Sequence, residues 1–134
     1  MATSRFWTFS LMRYHEDFRR RFWGDLFATD FGDINVVQLH PGVIIAWHRH
    51  QRQDDHIFVV YGSVHIQAID EQGQRHGWHL DAPRAFPVRI PAKWWHGYSS
   101  PMGATLVQFN GPGKWDGSDE ERKSLEEVPW NPIP

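Results

Sequence analysis

From residue 34 onward, apolar and polar positions alternate in short runs, and turn residues separate the runs. Successive side chains of a strand point to opposite faces, so a two-residue period reads as β-structure. Residues 34–39 and 43–47 flank His40-Pro41-Gly42, whose proline and glycine predict a turn. Residues 56–61 and 64–69 flank Gly62-Ser63, which predicts a tight hairpin led by a glycine at positive φ. Val64, Ile66 and Ala68 form one apolar face, with His65 and Gln67 between them. After a turn at 70–74, residues 78–80, 84–90, 95–99 and 105–109 continue the pattern, and Phe86, Val88 and Ile90 share a face. Pro101-Met102-Gly103 predicts the last hairpin loop. Short strands at this spacing predict an antiparallel sandwich or barrel.

The two ends read differently. Tyr14, Phe18, Phe22 and Leu26 recur every four residues, which would give a helical stripe. Gly24 interrupts that stripe, and a barrel edge needs cover, so 13–27 is read as strand. Ser118-Asp119-Glu120-Glu121 has the form of a capping box and predicts a short helix over 119–126, ending before Pro129. The proline-rich tail, 128–134, is expected to be extended, with Trp130 packed on the barrel or on a neighbour. With no internal repeat or low-complexity linker, the expectation is one domain over 1–134.

Charge and composition narrow the partners. Fourteen basic residues stand against 16 acidic ones, a net charge of −2, which offers no electrostatic case for nucleic acid or an anionic membrane. The absence of cysteine excludes disulfides and thiolate metal sites and fits a reducing cytoplasm. No apolar run reaches the roughly 20 residues of a membrane helix. Met1-Ala2-Thr3-Ser4-Arg5 lacks the apolar core of a signal peptide, so a soluble cytoplasmic protein is expected. Eight Trp, nine Phe and three Tyr can build a dense core or line a pocket that stacks on a sugar or a base. Of the nine histidines, His15, His40, His65, His76 and His79 fall in no shared pattern.

The other histidines do. Gly42 is followed after five residues by His48-Arg49-His50, after four more by Asp55, and after six more by Gly62. His48 and His50 lie two apart on one strand and so face the same side. A second segment, Pro91-Ala92-Lys93-Trp94-Trp95-His96, can return His96 to the same interior. Trp47 and Arg49 have the opposite parity and are expected outside. Tyr98 shares the parity of His96 and can line the pocket with its hydroxyl as proton donor. Of the two adjacent tryptophans, Trp95 is expected to face outward and Trp94 to sit near the mouth.

The spacing resembles the first motif of the cupin superfamily, small jelly-roll β-barrels, with Asp55 where the acid is usually Glu. The second motif is matched at Pro91 and His96, while Ala85, Lys93 and Ser100 stand where that motif has two glycines and an asparagine. The resemblance implies a divalent metal (Fe, Mn, Ni, Cu or Zn) held by His48, His50, Asp55 and His96. Asp54 is a second candidate carboxylate. The alternative is that the histidines merely line a wet barrel mouth.

A narrower resemblance is to the dTDP-4-dehydrorhamnose 3,5-epimerase family and its relatives. It rests on residues 46–62, on Ile90-Pro91-Ala92-Lys93-Trp94-Trp95-His96-Gly97-Tyr98 and on 114–122. Those enzymes are metal-free cupins that act on a nucleotide-linked keto-sugar, normally as homodimers. The resemblance implies a general base at His48, catalytic roles for His96 and Tyr98, and substrate contacts from Gln51, Trp94 and Gln108. The family's arginine before the base falls on Ile45, its lysine on Asp55, and its tyrosine acid near Gln108. Three functions stay open: a sugar or nucleotide-sugar epimerase or isomerase, a metal-dependent cupin enzyme such as a dioxygenase, and a non-catalytic cupin that binds a small ligand.

Overall fold

The computed structural model describes residues 12–83, 86–113 and 117–131. The terminal segment 1–11, Arg84 and Ala85, residues 114–116 of the acidic segment and 132–134 of the tail lie outside the described residues. The described residues form ten strands and no helix. They are β1 (Arg13–Glu16), β2 (Arg20–Thr29), β3 (Gly32–Leu39), β4 (Val43–His50), β5 (Asp54–Ile69), β6 (Arg75–Asp81), β7 (Val88–Ile90), β8 (Trp95–Ser100), β9 (Ala104–Gly111) and β10 (Glu120–Arg122). One antiparallel sheet runs β1-β2-β3-β9-β5-β7 and the other β10-β4-β8-β5-β6, so β5 belongs to both. Two twisted sheets that share a strand curl into the barrel the alternation predicted.

Strand β5 corrects one expectation. Gly62-Ser63 is no hairpin; the 16-residue strand runs straight through it. Asp54 to Gly62 pairs with β9, Ser63 to Ile69 pairs with β6, and His65 to Ile69 pairs also with β8. Gly62 does take positive φ (75°), and a side chain there would overlap the Gly103 carbonyl. The glycine therefore bends the chain from one sheet into the other instead of reversing it.

The C-terminal helix over 119–126 is not formed either. Glu120, Glu121 and Arg122 pair with His50, Arg49 and His48 on the edge of β4. The amides of Trp47 and Lys123 exchange hydrogen bonds with each other's carbonyls. An isolated two-turn helix is marginal, whereas an unpaired strand edge needs partners for every second N–H and C=O. Asp119 is buried and accepts the amides of Gln51 and Arg52, and Glu121 binds Arg49 rather than closing a capping box. Trp47 donates its indole N–H to the Val128 carbonyl at 2.7 Å and packs on Trp130, so the tail seals the outer face of β4. Residues 13–27 form β1 and β2, as the strand reading required.

The barrel's inner face changes chemistry along its length. On β3 the inward positions run Asn35, Val37, Leu39; on β9 they run Asn110, Gln108, Leu106, Ala104; on β5 they run Asp55, Ile57, Val59. Cross-strand register places Val37 opposite Leu106 at the apolar end and Asn110 opposite Asp55 at the polar end, with Ile57 opposite Gln108 where the two meet. Burial of each large aliphatic at the apolar end stabilises the fold by about 1.5–3 kcal/mol. The polar end is left open for a site. No helix of the described residues is long and apolar enough to cross a membrane.

Candidate functional site

The polar end of the barrel holds a cavity of about 430 Å³. His48, His50, Asp55, Tyr98 and Gln108, all singled out from the sequence, line it. His48 sits opposite His96 in the β4–β8 register, their rings 4.1 Å apart, and His96 lies just behind the cavity wall. The segment between β7 and β8 ties the two motifs together: the Lys93 amide donates to the His50 carbonyl at 2.6 Å. Lys93 keeps the left-handed backbone (φ 74°) where the cupin motif has glycine, so the turn survives the substitution.

Asp55 is the hub. Its Oδ2 lies 2.5 Å from His96 Nε2 and 3.8 Å from His48 Nε2; its Oδ1 lies 3.4 Å from His50 Nε2 and accepts from Asn110 Nδ2. Burial raises the carboxyl, but His96 foremost, with His48 and His50, holds it well below the usual carboxylate range. His48 is pushed down to about 3, first by burial and then by the charge of His96, against the pull of Asp55. Burial lowers His50 too, yet the bond to Asp55 wins and its pKa is raised. Tyr98 is raised, chiefly by burial, so its hydroxyl stays protonated; it accepts from Gln108 Nε2 at 3.0 Å.

The tautomer of His96 follows from its partners. Nδ1 faces the Trp94 carbonyl at 3.0 Å, and a carbonyl oxygen only accepts, so Nδ1 carries a hydrogen. In the neutral ring Nε2 then presents a lone pair to a carboxylate oxygen 2.5 Å away. A proton or a cation must lie between them. The ligand atoms of His48, His50, Asp55 and His96 all fall within 4.8 Å of one another. Donors about 2.1 Å from a common ion stand roughly 3–4 Å apart, so this donor set fits a divalent metal with small side-chain shifts.

The remaining predicted residues are placed as follows. Gln51 lies at the turn after β4, outside the cavity, with its side chain on Glu121. Trp94 packs against the core and stacks on His76 (4.7 Å, 22°), also outside the cavity lining. Trp95 faces outward between Arg49 and Lys123, and Arg49 bonds Glu121 at 3.0 Å, in line with their parity. Asp54 points away from the site, accepts the Ala92 amide and pairs with Arg89 at 2.9 Å.

Several lining residues were not legible beforehand. Asn35 and Asn110 share the inward parity of Val37 and Gln108, and Asn35 donates to Asn110 at 2.8 Å, which orients the amide that holds Asp55. Polar residues at core parity were the available signal. Arg13, Arg19, Arg20, Glu120 and Arg122 reach the mouth from β1, the β1–β2 connection, β2 and β10. Nothing local in the sequence says that these strand ends meet.

No protein-family model matches the chain. A curated relative, the probable low-salt glycan biosynthesis epimerase Agl13 of Haloferax volcanii, is 29% identical over 115 residues, covering 73% of this chain and 74% of the relative. Among solved structures, the capsular polysaccharide assembling protein CapF from Staphylococcus aureus superposes with a TM-score of 0.74 at 17% identity over 84% of this chain. Bacillus subtilis oxalate decarboxylase OxdC superposes with a TM-score of 0.74 at 16% identity over 85%. This chain spans only 32% and 31% of those two chains. The likeness establishes the cupin barrel as the fold.

Proposed function

We propose that the protein is a sugar isomerase or epimerase of the cupin type that moves a proton beside the carbonyl of a keto-sugar or nucleotide-linked keto-sugar. The observation that carries this reading is the pairing of His48 and Tyr98 on one cavity wall, ring centroids 6.1 Å apart. His48 is a neutral imidazole with a free base form at working pH. Tyr98 is a protonated phenol. Together they are an acid and a base in contact with the same ligand volume. The imidazolium that forms when His48 takes a proton is met by Asp55 at 3.8 Å, which opposes in part the burial and the neighbouring His96 that disfavour the charge. Gln108 orients the Tyr98 hydroxyl, and His96 anchors Asp55.

Strands β4 and β8 are neighbours, so both groups act from one side of the ligand. Inversion of a carbon needs proton donors on opposite faces; moving a proton between adjacent carbons needs one. Isomerisation therefore suits this pair better than epimerisation. The likeness to a probable glycan-biosynthesis epimerase and to a capsular-polysaccharide assembling protein agrees with a sugar ligand. The test is NMR of a dTDP-linked 4-keto sugar with the protein in D2O. Deuterium is expected at the carbon beside the ketone, with the ketone displaced and no inverted centre. A substrate panel that shows no incorporation above the uncatalysed rate overturns the reading.

A second reading has its own support, the four ligand atoms gathered around Asp55. His48, His50, Asp55 and His96 would hold a divalent metal, which when bound would polarise a ligand oxygen as a Lewis acid. The Nδ1–H bond of His96 to the Trp94 carbonyl fixes the tautomer that such a ligand requires. Metal-stripped protein titrated with Zn²⁺, Mn²⁺ or Ni²⁺ is then expected to take up one equivalent by elemental analysis. Its melting midpoint should rise, by about 2.7 kcal/mol of stabilisation at a hundredfold excess over Kd. The variant His50→Ala should lose both effects, and wild-type protein that takes up no stoichiometric metal removes this reading. Homodimer formation and a cytoplasmic location remain part of the proposal and are checked by light scattering and by fractionation.

A further inference from the structure

The mouth of the cavity carries four guanidinium groups, from Arg13, Arg19, Arg20 and Arg122. Three have carboxylate partners: Arg13 on Asp25 at 2.6 Å, Arg19 on Asp17 at 3.0 Å, and Arg122 on Glu120 at 3.2 Å. Arg20 is different. Its guanidinium lies over the Phe22 ring, 5.2 Å from the centroid, and no carboxylate among the described residues pairs with it. Its Nε, like that of Arg19, is buried without a hydrogen-bond partner. Burying an unpaired donor on a charged group is costly, and such groups ordinarily find an acceptor.

Arg20 opens β2 with the same parity as Phe22, so its side chain enters the barrel while Arg21 points out and pairs with Glu16 at 3.4 Å. Phe22 packs against the guanidinium, and both residues line the cavity. Its charge also reaches Tyr98, where it acts to lower the phenol's pKa against the burial that raises it. A planar fork of donors, positively charged, unpaired and facing the same volume as an acid–base pair matches the geometry of an oxyanion.

We infer that Arg20 is the anion receptor of this cavity: the ligand carries a carboxylate or phosphoryl group that Arg20 binds bidentately beside Tyr98. This rests on the sugar-isomerase reading for the remainder of the ligand and adds that the sugar is acidic or phosphorylated. Phosphoryl and carboxylate share the required oxygens; their sources differ and are separated by the probes.

The experiment is calorimetric titration of the full chain with pyrophosphate, thymidine diphosphate, glucuronate and oxalate, with glucose and thymidine as neutral counterparts. At least one anion is expected to bind, more weakly as salt rises. Arg20→Gln should lower that affinity about 10- to 100-fold, and Arg20→Lys should restore part of it. Arg21→Gln removes the same charge from the outer face and should leave the affinity within about twofold. Preference for the phosphate probes assigns a phosphorylated ligand, and preference for glucuronate or oxalate assigns a carboxylate. Anions that fail to bind, or that bind equally to Arg20→Gln, overturn the inference. If deuterium exchange on a keto-sugar proceeds with the same kcat/KM in Arg20→Gln, the inference falls and the isomerase reading stands. If anions bind through Arg20 while no keto-sugar exchanges, the inference stands and the isomerase reading falls.

Discussion

Asp55→Asn is expected to destabilise the protein by about 3–5 kcal/mol at neutral pH, read as a lower midpoint in urea unfolding. The carboxylate is 2% exposed and is approached by three imidazoles and an amide. Asparagine has nearly the same shape, so packing is preserved and the loss is electrostatic. It also removes the one negative charge that the three imidazoles gather around. The pH dependence follows from the direction of the shift. The folded pKa of Asp55 lies below its unfolded value near 3.9, so its contribution is present above about pH 4 and is lost as pH falls through the folded value. The gap between wild type and Asp55→Asn should therefore narrow in acid. His48 adds to the acid sensitivity of the wild type. With a folded pKa of about 3 against roughly 6.5 unfolded, the unfolded chain binds more protons in that window, and stability falls as pH drops through it. A loss in Asp55→Asn below about 1 kcal/mol would mean that the cluster does not depend on its anion.

His48→Gln is expected to reduce deuterium exchange beside the keto-sugar carbonyl by about 10²–10⁴-fold, with an unfolding midpoint close to wild type. Glutamine fills a similar volume at a position 12% exposed but cannot shuttle a proton. Tyr98→Phe should cost a comparable factor and also free Gln108, whose amide loses its acceptor. The two losses should combine far less than multiplicatively, because base and acid serve one proton transfer. A split in which KM rises and kcat holds would make His48 a binding group and not a base.

Much of this site could be read from the chain because strand parity and antiparallel pairing are short-range rules. His48 and His50 two residues apart and Asp55 at the start of the next strand needed only the alternation to be right, whereas the return of His96 rested on the motif resemblance and its register opposite His48 on the β4–β8 pairing. The same rules place Trp47, Arg49 and Trp95 on the outer face. The helix expected over 119–126 failed for a reason local pattern does not hold: the edge of β4 was vacant, and Glu120 to Arg122 filled it. The hairpin expected at Gly62-Ser63 failed similarly, since a glycine at positive φ serves a bend between sheets as well as a reversal. The arginine mouth depends on which strand ends meet across the barrel, and no window of sequence contains that. Asn35 and Asn110 were missed as well, although polar groups at the parity of Val37 and Leu106 were a signal the sequence did hold.

Two acids stand side by side at the start of β5, and only one can enter the barrel. Shifting β5 by a single residue against β9 would turn Asp54 inward and Asp55 out, with an anion still delivered to the histidines. Charge alone would not reject that misthreaded barrel. The ties of Asp54 to the Ala92 amide and Arg89 do, because they exist in one alignment only. The outer acid thus works as a proofreader for the inner one.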